Sequence, residues 1–302
     1  MIRVPDLVRQ RAEANGAEGR RWLASLPDVV AAVAERWSLE VGDVLAGGSA
    51  SLVVAATRDG APCVLKVPMP LAEDPDELRR SILVHRLAGG RGLVRLLDVD
   101  EAAPALLLER LGPNLLDAGL DVDAVVDAVA ATLTTFWRPA GDDVELPTGA
   151  EKCCWLVDYV EATWASTGRP CDRRVVDRAV AECEALAALY DPAAAVLVHG
   201  DAHGWNTLRT LDGTTTKLVD PEGLRSSREH DLAVVMREHN EPLLAGDTRR
   251  LVRARAERVA ELTGTDADLV ERWGFVERVS TGLANVAHFG SRVFLEVAER
   301  CA

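Results

Sequence analysis

Positive charge is in short supply in this chain. Its 302 residues hold 34 Lys and Arg against 48 Asp and Glu, a formal net charge of -14. A surface built to follow a phosphate backbone needs the opposite excess, so nucleic acid is not an expected partner. An acidic balance suits a cationic small molecule, although solubility alone also accounts for it. Zinc-site patterning is missing too. The six cysteines, at 63, 153, 154, 171, 183 and 301, form no C-x-x-C pair and have no histidine at ligand spacing. They read as reduced, structural thiols, with Cys153 and Cys154 packed rather than bridged. No apolar run approaches the roughly 20 residues of a membrane span; Ala193 to Val198 is one of the short runs present. Met1 to Arg11 contains no apolar signal core. These absences point to a cytoplasmic protein without a membrane partner, and leave monomer or dimer open. No repeat or low-complexity linker breaks the chain.

What is present is a change of periodicity. Residues 17–37 place Trp22, Leu26, Val29, Val30, Val33 and Trp37 at helical intervals, with Pro27 an early interruption. Short apolar runs then cover Asp43 to Ala46, Ser51 to Thr57 and Pro62 to Val67. Gly47-Gly48 separates the first two, and Arg58-Asp59-Gly60 reads as a hairpin turn between the others. Helical spacing returns over 74–88 and stops at Gly89-Gly90-Arg91-Gly92, after which Val94 to Val99 and Ala105 to Glu109 read as strands. Leu111-Gly112-Pro113 breaks the chain, and the remainder is mainly helical. The expected fold is α+β and two-lobed. A small lobe with an antiparallel sheet covers 1–112, a larger helical lobe covers 113–302, and a ligand is expected in the cleft between lobes.

The stretch His199-Gly200-Asp201-Ala202-His203-Gly204-Trp205-Asn206, followed by the apolar run ending in Asp220, carries the chemistry. Phosphoryl transfer asks a protein for positioning and charge neutralisation, with a carboxylate to orient the attacking hydroxyl and oxygen ligands for Mg²⁺. Asp201 is the candidate base. Asn206, five positions on, and Asp220 are the candidate metal ligands. An Asp after Gly is by itself more often a turn; here the Asn, a hairpin signal at Asp212-Gly213 and a strand ending in Asp complete the pattern.

Other positions are weighed beside these. His199 reads as a backbone support of the loop. His203 is undecided, with a surface position the simpler reading, and Trp205 either packs in the core or between lobes, as most of the tryptophans are expected to, or faces the substrate. Lys66 lies in the apolar strand Val64-Leu65-Lys66-Val67, where a lysine needs a partner; a phosphate role is expected, with Glu77 its helix partner and Glu73 the competitor. Gly48 and Ser49, between the first two strands, can bring backbone N–H groups to phosphates, although a plain hairpin turn has the same composition. Glu109 and Leu111 precede the lobe break and offer backbone groups to an adenine edge. Asp231 accepts bonds from the loop backbone, caps a helix, or does both. Glu222 touches metal-bound water or sits on a turn. Glu238, Glu241, Glu271 and Glu277 can pair with substrate cations, but a solvated helix face explains each one singly.

With these residues in view, the chain resembles the aminoglycoside phosphotransferase superfamily, and most of all its streptomycin 6-phosphotransferase group, the aminoglycoside/hydroxyurea antibiotic resistance kinases. The resemblance is carried by Val4-Pro5-Asp6, Glu18-Gly19-Arg20-Arg21-Trp22-Leu23, Ala50-Ser51-Leu52-Val53-Val54, Gly92-Leu93-Val94-Arg95-Leu96-Leu97-Asp98 and Leu106-Leu107-Leu108-Glu109-Arg110-Leu111. It continues through His199-Gly200-Asp201, Asn206 and Asp220-Pro221-Glu222. It implies a protein-kinase-like fold and ATP- and Mg²⁺-dependent phosphorylation of a hydroxyl on a cationic, streptomycin-like acceptor. It assigns Asp201 as base, Asn206 and Asp220 as metal ligands and Lys66 as phosphate ligand. The competing expectations are a kinase for an amino sugar or other metabolite, and a nucleotide-binding pseudokinase.

Overall fold

The computed structural model describes residues 3–46, 48, 50–71 and 74–302. Ser49 and Glu73 lie outside the described residues. The chain divides into two compact units, one combining the segment up to Pro113 with Leu208–Val219, the other made of Asn114–Thr207 and Asp220–Ala302.

The first unit opens with helices α1 (Asp6–Ala14) and α2 (Gly16–Arg36). The expected interruption at Pro27 does not occur: α2 runs through it. Pro27 lies on the exposed side of the helix, where the carbonyl it leaves without a partner can face water. Strands β1 (Leu39–Val44), β2 (Ser51–Arg58) and β3 (Ala61–Pro68), helix α3 (Glu77–Ala88), and strands β4 (Leu96–Asp100) and β5 (Ala105–Glu109) follow. The sheet order is β1-β2-β3-β5-β4, with every pairing antiparallel. The turn Asp59-Gly60 joins Arg58 to its partner Ala61; both turn residues have positive φ, at 53° and 78°. That is the backbone a two-residue hairpin of this twist requires, and Asp-Gly supplies it at low cost. The first strand begins earlier than its apolar residues suggest. It is an edge strand, exposed at Glu40 to Asp43, so its hydrophobic signal is weak.

Alternation sorts the sheet into two faces. Leu52, Val54, Ala56, Cys63, Leu65, Val67, Ala105 and Leu107 share a core with Val8, Trp22, Leu26, Val30 and Val33 of the two leading helices. Leu26, Leu65 and Leu107 are wholly buried, and each such side chain contributes about 1.5–3 kcal/mol. Lys66, out of step with Leu65 and Val67, belongs to the opposite face.

The second unit holds α4 (Val122–Phe136), α5 (Gly149–Ser166), α6 (Arg173–Ala188) and the buried strand β6 (Val196–Val198). The hairpin β7 (Thr207–Arg209) and β8 (Thr216–Leu218) falls almost wholly in the first unit. The chain then returns as β9 (Leu224–Ser226), antiparallel to β6, and continues through α7 (Arg228–Arg237), α8 (Asn240–Leu244), α9 (Thr248–Thr263), α10 (Ala267–Phe289) and α11 (Val293–Cys301). Helices α7 and α10 approach closely because position 274 is glycine: a Cβ there would stand 2.6 Å from Met236 Cβ. The six thiols are all free, but Cys154 is exposed, so the expectation of two packed neighbours holds only for Cys153. Among the described residues, no helix is long and apolar enough to cross a membrane.

Candidate functional site

The loop from His199 to Asn206 leaves β6, whose three residues Val196, Leu197 and Val198 are buried, so its start is anchored by the core. Its glycine is obligatory. Gly200 has φ +87°, and a Cβ would lie 3.0 Å from Glu222 Cβ and 3.3 Å from Leu224 Cδ1. Glu222 and Gly223 donate backbone bonds of 2.9 and 3.2 Å to His199 O, tying the segment after Asp220 to the loop. His199 is wholly buried, and its Nδ1 accepts the Asp201 N–H at 3.2 Å.

Asp231 fixes the loop from below. It is wholly buried and accepts bonds from His199 N at 2.9 Å, Gly200 N at 2.8 Å and Trp137 Nε1 at 2.8 Å. It does not cap α7, whose N-cap is Ser227. Burial pushes the Asp231 carboxyl up to about 6, against these three donors, which favour the charged form.

Asp201 and Asn206 come together. Asn206 Nδ2 donates to Asp201 O at 3.0 Å and to Asp201 Oδ2 at 3.2 Å. The Asn206 amide oxygen is thereby turned away from the carboxylate. Asp220 sits in the same unit at φ 59°. A left-handed conformation costs a non-glycine residue on the order of 1–2 kcal/mol, and such strain concentrates where a side chain must be aimed. Among the described residues, no three His, Cys, Asp or Glu side chains gather as a metal nest. Asn206 and Asp220 each carry a hard oxygen donor, an amide oxygen and a carboxylate. They fit a hard divalent cation that brings further oxygen ligands with it.

Sequence reasoning missed two partners of Asp201. His203, undecided from sequence, is drawn in: Nδ1 accepts from Asn206 N at 3.3 Å, which leaves its ring proton on Nε2, 3.3 Å from Asp201 Oδ2. Arg237, at the end of α7, donates to Asp201 Oδ1 at 2.6 Å and to Glu277 Oε2 at 2.9 Å. Its side chain is 13% exposed and that of Glu277 only 7%, so the solvated-face reading fails for Glu277. Burial works to raise the Asp201 pKa, but the His203 bond and then the Arg237 charge outweigh it and hold the carboxyl well below the usual carboxylate range. His230 stacks on Trp273 at 4.0 Å, and burial drives it down to about 4. It is neutral at pH 7, so Arg237 is the cation hydrogen-bonded to Glu277. Glu222 is held by Lys152 at 3.2 Å. Glu238 stands 3.6 Å from Arg237 Nε, while Glu271 stands 3.5 Å from Arg253. Trp205 is 55% exposed.

In the first unit, Lys66 and Glu77 line one cavity of about 640 Å³, with Trp22, Arg21 and Ser81 on its walls. A Cβ at Gly48 would meet Ser51 Oγ at 3.1 Å, so the backbone packs closely at this turn. Glu109 N donates to Arg95 O at 2.9 Å, and its carboxylate accepts from Arg95 N and Lys217 Nζ. Leu111 is buried.

Solved structures identify the fold as that of the aminoglycoside phosphotransferases. A thermostable mutant of aminoglycoside phosphotransferase APH(4)-Ia, in complex with ADP and hygromycin B, has a TM-score of 0.56 at 17% identity, covering 89% of this chain and 95% of its own. The Streptomyces rimosus enzyme APH(3'')-Id has a TM-score of 0.58 at 17% identity, covering 85% of this chain and 98% of its own. The sequence narrows this class. The model of the aminoglycoside/hydroxyurea antibiotic resistance kinases matches residues 36–287. Streptomycin 6-kinase of Streptomyces griseus is 32% identical over 90% of this chain and 87% of its own length. That of Streptomyces glaucescens is 29% identical over 95% and 92%. The chain belongs to the aminoglycoside/hydroxyurea antibiotic resistance kinase family. It is a phosphotransferase acting on an alcohol group.

Proposed function

We propose that this kinase moves the γ-phosphoryl group of ATP to a hydroxyl of a cationic aminocyclitol, streptomycin or a close analogue. The observation that carries this reading is the fixed Asp201–Asn206 contact in a chain 32% identical to a streptomycin 6-kinase. Asp201 orients the acceptor hydroxyl and takes its proton, which is lost late in a loose transition state. Its suppressed pKa suits orientation, since the carboxylate is ready to accept at any working pH.

Asn206 and Asp220 hold Mg²⁺, which when bound supplies charge neutralisation to the phosphates. The amino-terminal unit binds the nucleotide. Lys66, which lines the same cavity as Glu77, holds phosphate oxygens; Gly48 and Ser49 offer backbone N–H groups to them; and the chain at Glu109 and Leu111 meets the adenine. The chain's acidity favours a cationic acceptor. ATP supply and six free thiols suit the cytoplasm.

The test is acceptor-dependent ADP release from Mg²⁺-ATP across a panel of aminoglycosides, amino sugars and hydroxyurea. Streptomycin is expected to give the largest stimulation. Stimulation by a neutral or amino sugar instead would move the enzyme to a metabolic acceptor, and none by any compound would make it a nucleotide binder.

A further inference from the structure

We infer that Arg237 is a positioning residue of the transfer reaction: it locks the Asp201 carboxylate and supplies the positive charge that the loop itself lacks. The inference rests on the reading of Asp201 as base. Between His199 and Asn206 there is no Lys or Arg, yet a base carboxylate facing a triphosphate meets strong like-charge repulsion. Arg237 is the only Lys or Arg hydrogen-bonded to Asp201 among the described residues, through Nη2 to Oδ1 at 2.6 Å. Its Nη1 is spent on Glu277 at 2.9 Å.

The arrangement is built rather than incidental. Glu277 is 5% exposed and Arg237 comes from the last turn of α7. Six residues earlier the same helix presents Asp231 to His199 N and Gly200 N. One rigid helix therefore holds both the backbone of the loop and the charge beside its carboxylate. Gly274, one turn before Glu277, lets α10 close on Met236 next to Arg237. With Arg237 on Oδ1, and Asn206 and His203 on Oδ2, the carboxylate is gripped on both oxygens. Its rotation is removed before any acceptor arrives. A planar guanidinium with two donors can bridge two carboxylates in fixed geometry; an ammonium cannot hold both in one plane.

The experiment is a kinetic cycle with Mg²⁺-ATP and streptomycin on Arg237→Met, Arg237→Lys, Asp201→Asn and the double variant Arg237→Met/Asp201→Asn. Arg237→Met is expected to lose about 100-fold in kcat, the scale of a misplaced catalytic group, with the KM for ATP changed less than about threefold. Arg237→Lys should recover about tenfold of that loss by restoring charge without the fork. Because Arg237 acts through Asp201, the double variant should fall within about twofold of Asp201→Asn alone. An unchanged kcat in Arg237→Met, or losses that multiply in the double variant, would overturn the inference. Should Arg237→Met fail to fold because Glu277 is left with no cation, Arg237→Met/Glu277→Gln removes the orphaned charge and should show the same kcat loss. Full activity in Asp201→Asn defeats the base assignment itself; an inactive Asp201→Asn beside a fully active Arg237→Met defeats only the role of Arg237. Streptomycin left untouched by the unaltered protein sinks the acceptor reading, and the same cycle is then read on ADP release with water as acceptor.

Discussion

Replacing Asp231 by alanine strips three buried donors of their acceptor at once: His199 N, Gly200 N and Trp137 Nε1, at 2.9, 2.8 and 2.8 Å. A buried donor left without a partner costs about 1–3 kcal/mol. Against that stands a gain. Burial holds the Asp231 carboxyl near 6, about two pKa units above its ordinary value, so the charged side chain is itself disfavoured in the fold by about 3 kcal/mol. Three orphaned donors outweigh one relieved charge, and the net loss is expected near 3 kcal/mol. Asp231→Asn should lose less, about 1–2 kcal/mol. Its amide oxygen can keep the two bonds now made to Oδ2, while its NH₂ faces the Gly200 N–H and forfeits the third. Urea unfolding at pH 7 reads both numbers, and an unchanged m-value confirms a stability effect. Because the freed backbone leads directly into Asp201, kcat should fall in the same order. An Asp231→Ala protein within about 0.5 kcal/mol of the parent would refute the claim that this side chain anchors the loop.

Gly200→Ala places a Cβ 3.0 Å from Glu222 at φ +87° and should cost about 2 kcal/mol or more; an unaltered melting temperature together with full activity would contradict it. Asp220→Ala should weaken nucleotide binding in Mg²⁺ while leaving metal-free nucleotide binding in place, read by calorimetry with and without EDTA; equal affinities in Mg²⁺ would defeat the metal role. The depressed Asp201 pKa gives a pH prediction. A carboxyl suppressed on folding adds stability above its unfolded value of about 3.9 and loses it as the pH falls further, so neither stability nor kcat should show an acid limb from Asp201 between about pH 5 and 8. A limb there that disappears in Asp201→Asn would refute it.

Much of the fold was legible because its signals are local. The Asp59-Gly60 turn states its own backbone conformation, and the alternation Cys63, Leu65, Val67 names the face that α2 covers. Helix α3 (Glu77–Ala88), inside the helical spacing read over 74–88, is likewise written in short spacings. Helix α1 escaped notice because only Val8 and Ala12 of its residues are buried, too few for a visible stripe. The loop was legible because its key residues lie within eight positions. Arg237 and Glu277 were not, since one arginine among 34 cations and one acid among 48 carry no mark of a partner 36 or 40 positions away. The packing of α7 on α10 around Gly274 brings Glu277 to Arg237, which in turn reaches Asp201. His203 stayed undecided for a related reason: a turn that folds its ring back onto Asn206 N cannot be read from residue type.

The most direct measurement is mass spectrometry of streptomycin after incubation with Mg²⁺-ATP and either the unaltered protein or Asp201→Ala. The account predicts that the antibiotic gains a single phosphoryl group with the first and none with the second, while both proteins still bind the nucleotide. Phosphorylated streptomycin formed at equal rates by both would contradict it.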